Sequence, residues 1–261
     1  VVFMDGIVMG GGMGISGHGA GASLRVVTER TKMAMPETNI GLFPDVGGGW
    51  FLAHLCPPGM GEYLGLTGRL VGGNDARVAG LADGLLPAAE LEGVWQRLGA
   101  EGGLAWVREL RRRFADSPPD PLRGELAGRA GDIARIFSLP SVAAIVAALE
   151  ADASAWAADT AAVLRKRSPL MLHVSLRLIR QARGMSLADE LRLERGLVRH
   201  AFHLRPGTAS ETMEGIRALV VDKDQAPRWN PARIEDVTQA MVDAFFASPW
   251  PAHAHPLRPL G

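Results

Sequence analysis

The fold of this chain is decided by its first residues, 1–14, which read VVFMDGIVMGGGMG. Residues 1–9 form an apolar run of the length of a buried strand, and the glycines after it predict a tight turn leading into a short helix over about 14–21. Two further short strands are predicted over 24–28 and 32–35. This alternation indicates an α/β fold.

The pattern changes near residue 90. Before that point, we expect short helices near 50–55, 60–66 and 74–79 and a small strand and turn over 81–87. Beyond it, the spacing of apolar residues predicts helices over roughly 88–98, 103–115, 141–164, 168–183, 186–203, 208–220 and 234–247. We therefore expect two parts: an α/β core over 1–90 and a helical region over 91–261.

Composition limits the function classes. The chain has 28 basic and 28 acidic side chains, so no overall field attracts nucleic acid or an anionic membrane. It contains no run of about 18 apolar residues that would span a membrane, and its single cysteine, Cys56, fits a reducing compartment. Arginine strongly outnumbers lysine, which is typical of a high-GC bacterial genome. We expect a cytoplasmic, bacterial protein without a nucleic-acid or membrane partner.

The glycine loop has several interpretations. Glycines at 10–12 let a backbone N–H approach an anion or an oxyanion, or they serve only as a tight connection. A P-loop would end in Gly-Lys-Ser/Thr, whereas Gly17 is followed by His18. Residues 12–17 match the dinucleotide pattern G-x-G-x-x-G, but the six residues 18–23 are too few for a Rossmann crossover helix. The sequence of the loop alone does not decide whether it binds an anion, binds an oxyanion or is only a tight connection.

Two acids follow the third strand. Glu37 comes directly after Met35-Pro36, and Asp45 follows Pro44, eight residues later. Apolar neighbours would partly desolvate both carboxylates, which raises a pKa and suits general acid/base chemistry. Alternatively, Asp45 only caps the helix that begins near Gly47.

Several motifs together resemble the crotonase (enoyl-CoA hydratase/isomerase) superfamily, and within it most closely the 3-hydroxyisobutyryl-CoA hydrolases. They are residues 9–14 (MGGGMG), 25–29 (RVVTE), 35–48 (MPETNIGLFPDVGG), 66–68 (LTG), 79–82 (AGLA), 214–219 (EGIRAL) and 222–231 (DKDQAPRWNP). This resemblance implies a crotonase-like ββα spiral core followed by an α-helical C-terminal region.

The resemblance also implies a site for an acyl-CoA thioester. Gly11 would donate a backbone N–H to the thioester oxyanion, and Gly14, which stands where hydratases have a second glutamate, would leave room for the acyl group. Glu37 would be the nucleophile or the general base, and Asp45 would orient the substrate or assist proton transfer. CoA is then part of the substrate, and we expect no cofactor and no metal. A homo-oligomer is compatible with the resemblance.

The start of the chain bears on activity. One oxyanion donor and the adenine-binding loop of the superfamily lie upstream of the strand with which the sequence begins, so we expect a weak or inactive protein if the polypeptide starts at Val1. Three functions stay open: hydrolysis of a 3-hydroxyisobutyryl-CoA-type thioester in valine breakdown, enoyl-CoA isomerisation or hydration, and non-catalytic CoA binding.

Overall fold

The N-terminal apolar segment forms two strands instead of the single strand predicted over 1–9. In the computed structural model, which describes residues 1–18, 23–100 and 103–260, β1 spans Val2–Met4 and β2 spans Ile7–Met9. Gly6 lies between them at φ +76°, a left-handed conformation that glycine adopts without strain. One apolar segment thereby contributes to two sheets.

The named strands pair in parallel. In the first sheet, β3 (Arg25–Val27) lies between β1 and β5 (Gly84–Leu85); in the second, β2 pairs with β4 (Lys32–Ala34). The helix α1, Gly11–Ser16, follows β2 and precedes β3 in the chain. It begins earlier than the helix predicted over 14–21, and residues 19–21 of that prediction lie outside the described residues. The predicted α/β core is confirmed.

Short helices cover the sheets. A 3₁₀ turn, Glu37–Ile40, follows β4. The helices α2 (Gly48–His54), α3 (Met60–Thr67) and α4 (Gly73–Val78) agree with the predicted ones to within about two residues.

The rest of the chain is helical. Its α-helices are α5 (Leu91–Gly99), α6 (Gly103–Ala115), α7 (Leu126–Phe137), α8 (Val142–Ala151), α9 (Ala155–Lys166), α10 (Pro169–Ala182), α11 (Leu187–His203), α12 (Glu211–Ile216) and α13 (Gln239–Phe246). A π-helical turn, Arg217–Val221, continues α12. Further 3₁₀ turns lie at Ala88–Glu90, Gly207–Ala209, Ile234–Asp236 and Ala252–Ala254.

Two helix predictions were wrong. The single helix expected over 141–164 is divided into α8 and α9, because the Ser154 side chain caps a new N-terminus by accepting from the N–H of Ala157 at 3.2 Å. No helix was predicted between 115 and 141, yet α7 lies there. Gly128 and Gly131 lower its intrinsic helix propensity, whereas burial of apolar residues such as Ile133 and Phe137 stabilises it.

The helix α10 joins the two parts of the molecule. It packs against α2 and α3 on one side and against α8 and α13 on others. The main apolar core accordingly includes Met4 and Val8 as well as Leu172 and Ile179. The division into 1–90 and 91–261 stays a prediction. Within the described residues, no helix combines the length and apolarity that a membrane crossing requires.

The close packing of α3 on α2 gives a testable prediction. A methyl group at Gly61 would overlap the carbonyl oxygen of Leu52, whereas one at Gly93, on the exposed face of α5, would meet nothing within 4 Å. We expect Gly61→Ala to lower the free energy of unfolding by about 1–3 kcal/mol. The matched change Gly93→Ala should raise it by about 0.5–1 kcal/mol. Urea unfolding measures both; equal effects would contradict the packing described.

Candidate active site

The strands β2 and β4 end side by side, and each is followed by a motif identified in the sequence. Met9 lies opposite Ala34 in the parallel register. The carboxyl ends of parallel strands meet at one edge of a sheet, where ligands commonly bind. The glycine loop after β2 and Glu37 after β4 are therefore brought together.

The carboxyl group of Glu37 is buried beside the glycine loop. The residue is 5% exposed, and a methyl group added at Gly10 would come within 3.3 Å of its Oε1. Its Oε2 is buried and has no hydrogen-bond partner among the described residues. The pKa of Glu37 is raised to about 8, mainly by burial and in smaller part by the negative charge of Asp45, against the lowering effect of the Glu37 backbone. Such a carboxyl can take up and release a proton near neutral pH.

Gly11 and Gly12 present free backbone donors at the start of α1. Both residues are exposed, and the first N–H groups of a helix have no acceptor within it. In the described part of the chain, neither N–H has another acceptor. A side chain at Gly11 would meet nothing within 4 Å, so the approach is open. Gly11 is thus placed where it can donate to a ligand oxygen, and its role as the oxyanion donor stays a prediction.

Gly14 lies in a different environment from the one expected. A methyl group there would overlap the Val46 side chain and would come within 3.0 Å of the Val46 carbonyl oxygen. The prediction that Gly14 leaves open room for an acyl group therefore needs correction, because Val46 already fills that room. Gly14 allows α1 to pack closely on the loop that carries Asp45.

Asp45 is half-buried and lies within electrostatic reach of Glu37. Burial raises the pKa of Asp45, although its own backbone partly opposes this, and its charge contributes to the raised pKa of Glu37. The alternative role as a helix cap is not observed, since Gly47 occupies the N-cap position of α2. The structure thus brings Glu37, Asp45 and the glycine loop into one region.

The loop after Asp45 is held by two residues that the sequence analysis did not assign to the site. His18 contacts the Val46 carbonyl oxygen through Nε2 at 2.8 Å, and Glu194 on α11 accepts from the N–H of Gly47 at 2.6 Å. The sequence leaves open whether His18 contacts a ligand after the glycine loop or lies on a helix face, and it does not identify Glu194.

A third acid lies one helical turn before Glu194. Glu190 is completely buried against Gly49, and neither of its carboxyl oxygens has a hydrogen-bond partner among the described residues. The pKa of Glu190 is raised to about 8 and that of Glu194 to about 7, in each case mainly by burial and in smaller part by neighbouring negative charge. Both occupy the buried stripe of α11 that continues with Leu197 and Ala201. The sequence signal that could have identified both residues is the presence of acids at core positions of an amphipathic helix.

Two histidines near the end of α11 have a spacing that metal ligands on a helix can adopt. His200 and His203 lie three residues apart on α11, and Nδ1 of His200 contacts the Phe245 carbonyl oxygen at 2.8 Å. No group of three or more His, Cys, Asp or Glu side chains that could hold a metal was found in residues 1–18, 23–100 and 103–260.

Comparison with known proteins gives matches that cover most of this chain. The model of the family described as enoyl-CoA hydratase/isomerase matches residues 1–246. The chain is 38% identical over 257 residues to "3-hydroxyisobutyryl-CoA hydrolase 1" of Arabidopsis thaliana, covering 94% of this chain and 65% of that protein. It is 37% identical to "3-hydroxyisobutyryl-CoA hydrolase, mitochondrial" of Xenopus tropicalis, covering 95% of this chain and 63% of the relative. The chain thus spans somewhat less than two thirds of these relatives.

Two solved structures are similar over the same extent. One is a carnitinyl-CoA dehydratase from Mycobacterium thermoresistibile, with a TM-score of 0.79 and 38% identity over 94% of this chain and 66% of the other. The second is an enoyl-CoA hydratase from Rhodobacter sphaeroides, with a TM-score of 0.75 and 35% identity over 94% of this chain and 67% of the other. The predicted crotonase-like fold is confirmed.

The comparisons also correct the expected location. Relatives from Xenopus tropicalis, Gallus gallus and Mus musculus are named mitochondrial, which contradicts the prediction of a cytoplasmic protein. These relatives are eukaryotic and do not support the predicted bacterial origin.

The buried acids predict how stability depends on pH. A carboxyl whose pKa is raised to about 7 or 8 keeps its proton in the folded state, whereas the unfolded chain releases it near 4.5. The folded state then binds more protons, so the free energy of unfolding should fall as the pH rises from about 5 to 8, by about 1.4 kcal/mol per pH unit for each such proton. Glu190→Gln should flatten this dependence, and the exposed control Glu92→Gln should not. Urea unfolding at several pH values checks this; a slope unchanged in Glu190→Gln would contradict it.

Proposed function

The chain belongs to the enoyl-CoA hydratase/isomerase family, and from this premise we propose that it hydrolyses a short branched 3-hydroxyacyl-CoA thioester of the 3-hydroxyisobutyryl-CoA type. The observation that carries the proposal is the buried Glu37 carboxyl beside a glycine loop with free N–H groups. The names of the curated relatives, which are 36–38% identical to this chain, support the same reaction. We assign the reaction to valine breakdown.

The thioester carbonyl would lie against the start of α1. Negative charge develops on its oxygen when a nucleophile attacks, and a preorganised N–H donor stabilises that charge. Gly11 is our candidate donor, since its N–H is free and the space around it is open. One donor of this kind contributes about 10²–10³ in rate.

Glu37 would act on the carbonyl carbon in one of two ways. As a general base it removes a proton from the attacking water; as a nucleophile it forms an anhydride that water then opens. Either way, the carbon–sulfur bond breaks, CoA leaves as its thiol after gaining a proton, and the acyl group leaves as a carboxylate. Asp45 is our candidate for orienting the substrate or for assisting the proton transfer to sulfur.

The surroundings of Gly14 support hydrolysis over hydration. In the superfamily, water addition uses a second glutamate at this position, and here even a methyl group would overlap Val46. Hydration or isomerisation remains the second candidate, because two of the similar solved structures carry names of the hydratase class, a dehydratase and a hydratase. We further propose that CoA enters only as part of the substrate and that no separate cofactor takes part. Assembly into a homo-oligomer stays a prediction.

Replacement of Glu37 tests the assigned chemistry. Glu37→Gln keeps the size of the side chain but can neither attack nor accept a proton as a base, so thiol release from 3-hydroxyisobutyryl-CoA should fall by about 10²–10⁴-fold. Affinity for the CoA product should change by less than about threefold, because the charge acts in the transition state. A thiol-detecting dye follows the rate, and calorimetry follows binding.

The matched control is Glu92→Gln, which removes an exposed carboxylate on α5 and should leave the rate unchanged. Wild-type rates in Glu37→Gln would refute the role of Glu37. Hydration or double-bond migration of an enoyl-CoA by the wild-type protein, without thiol release, would favour the second candidate. Binding of CoA without any turnover would favour a non-catalytic role.

The raised pKa of Glu37 predicts the pH dependence of the rate. Attack by Glu37, or by water that it activates, requires the ionised carboxylate, and its pKa lies at about 8. We expect kcat/KM to rise about tenfold per pH unit below this value and to level off above it. Initial rates between pH 5.5 and 9.5 in buffers of constant ionic strength give the profile. A rate that is constant over this range would contradict the assignment.

A further inference from the structure

One peptide unit next to Asp45 is held at both of its ends. The carbonyl oxygen of Val46 is contacted by Nε2 of His18 at 2.8 Å, and the N–H of Gly47 donates to Oε2 of Glu194 at 2.6 Å. These two groups belong to the same planar peptide between residues 46 and 47. Holding both ends fixes the rotation of that plane about the chain axis. We call this arrangement the 46–47 clamp.

The clamped peptide has an unfavourable backbone conformation. Val46 lies at φ +55°, in the left-handed region that a β-branched residue rarely adopts, and Gly47 lies at φ +78°. Such conformations persist only where surrounding contacts enforce them, and they concentrate at functional sites. Val46 directly follows Asp45, and the N–H of Gly48 donates to the Asp45 carbonyl oxygen at 2.8 Å, so the 46–47 peptide is the middle of a turn that begins at Asp45. The clamp thus holds the turn that carries Asp45.

The two clamp residues come from distant parts of the chain. His18 follows α1 and packs edge-on against Phe51 of α2, with ring centroids 5.3 Å apart. Glu194 comes from α11 and is only 9% exposed. Burial of a carboxyl group at a core position is unfavourable unless it is hydrogen-bonded, and an apolar residue would pack there without that penalty. An acid at this position therefore calls for an explanation beyond packing.

The tautomer of His18 is determined by its partner. A carbonyl oxygen only accepts, so Nε2 carries the hydrogen and donates it to Val46. The clamp thus consists of one donor, His18, and one acceptor, Glu194, matched to the acceptor and the donor of a single peptide.

Resting on the proposed function, we propose that His18 and Glu194 are positioning residues that orient the Asp45 carboxylate for thioester hydrolysis through the Val46–Gly47 peptide. Neither residue needs to touch the substrate. Asp189 provides the comparison, because it is an exposed acid on the same helix and its carboxylate accepts from Ser186 and Arg192.

Three substitutions in α11 test the proposal. Glu194→Leu removes the acceptor, and we expect kcat to fall by about 10–100-fold with KM changed by less than about threefold, because orientation is lost while binding is retained. Glu194→Gln keeps a carbonyl oxygen facing Gly47 and should restore kcat to within about threefold of wild type. The matched control Asp189→Leu, at an exposed position of α11, should leave kcat unchanged. Thermal unfolding monitored by circular dichroism reports the folding of each variant.

A second variant keeps the test valid if Glu194→Leu does not fold. His18→Phe preserves an aromatic ring but removes the hydrogen bond to Val46, and it should lower kcat in the same way with little change in KM. Hydrogen exchange of the Gly47 amide, followed by nuclear magnetic resonance, reports the clamp directly. The amide should be protected in wild type and in Glu194→Gln and should exchange faster in Glu194→Leu.

The outcomes separate this proposal from the proposed function. Equal losses of kcat in Asp189→Leu and Glu194→Leu, or no rescue by Glu194→Gln, would overturn the positioning role. If the wild-type protein releases no thiol from the CoA ester, the proposed function fails, and amide exchange still decides the clamp. In that case, faster exchange at Gly47 in Glu194→Leu alone supports it, and equal exchange in all variants rules it out.

Discussion

The parallel pairing of β2 with β4 is the constraint on which the candidate site depends. With Met9 opposite Ala34, both strands end at the same edge, and the residues that follow them have to share the space beyond it. The glycine loop can approach Glu37 there because Gly10 has no side chain to displace the carboxyl group. Gly6 makes this pairing available, since its left-handed conformation directs β2 out of the sheet that contains β1 and into a second one.

The site is surrounded by carboxyl groups that the fold withdraws from water. Asp45 raises the pKa of both Glu37 and Glu194, and Glu194 raises that of Glu190, so the charge of each acid influences the next. Such a series does not favour stability at neutral pH, because ionisation of one member disfavours ionisation of its neighbour. Groups of this kind concentrate at functional sites. The helix α11 thus contributes to the electrostatics of a site whose motifs lie more than a hundred residues earlier in the sequence.

Part of the candidate site could be predicted from the local pattern of the sequence. The strands, the glycine turn and the spacing of Glu37 and Asp45 depend on residues that are close together in sequence. The resemblance to a known family then implied which reaction these residues could catalyse. The 46–47 clamp could not be predicted from local sequence, because His18 and Glu194 contact the 46–47 peptide only through tertiary packing. In α7, burial of apolar side chains also outweighed the low helix propensity of two glycines, and for this reason the helix was not predicted. Glu190 and Glu194 interrupt the apolar stripe of α11, and that irregularity was the one clue available.

The absence of a side chain at residue 14 is linked to the conformation of residue 46. Val46 fills the volume that a side chain at Gly14 would need, and it stays there because its peptide is bonded to His18 on one side and Glu194 on the other. An acid at position 14 would have to displace Val46, and that displacement would disturb the two hydrogen bonds of the 46–47 peptide. A side chain at position 14 and the present conformation of Val46 therefore exclude each other in this chain. Gly14, Val46, His18 and Glu194 are thus linked through a single loop, although they are distant in sequence.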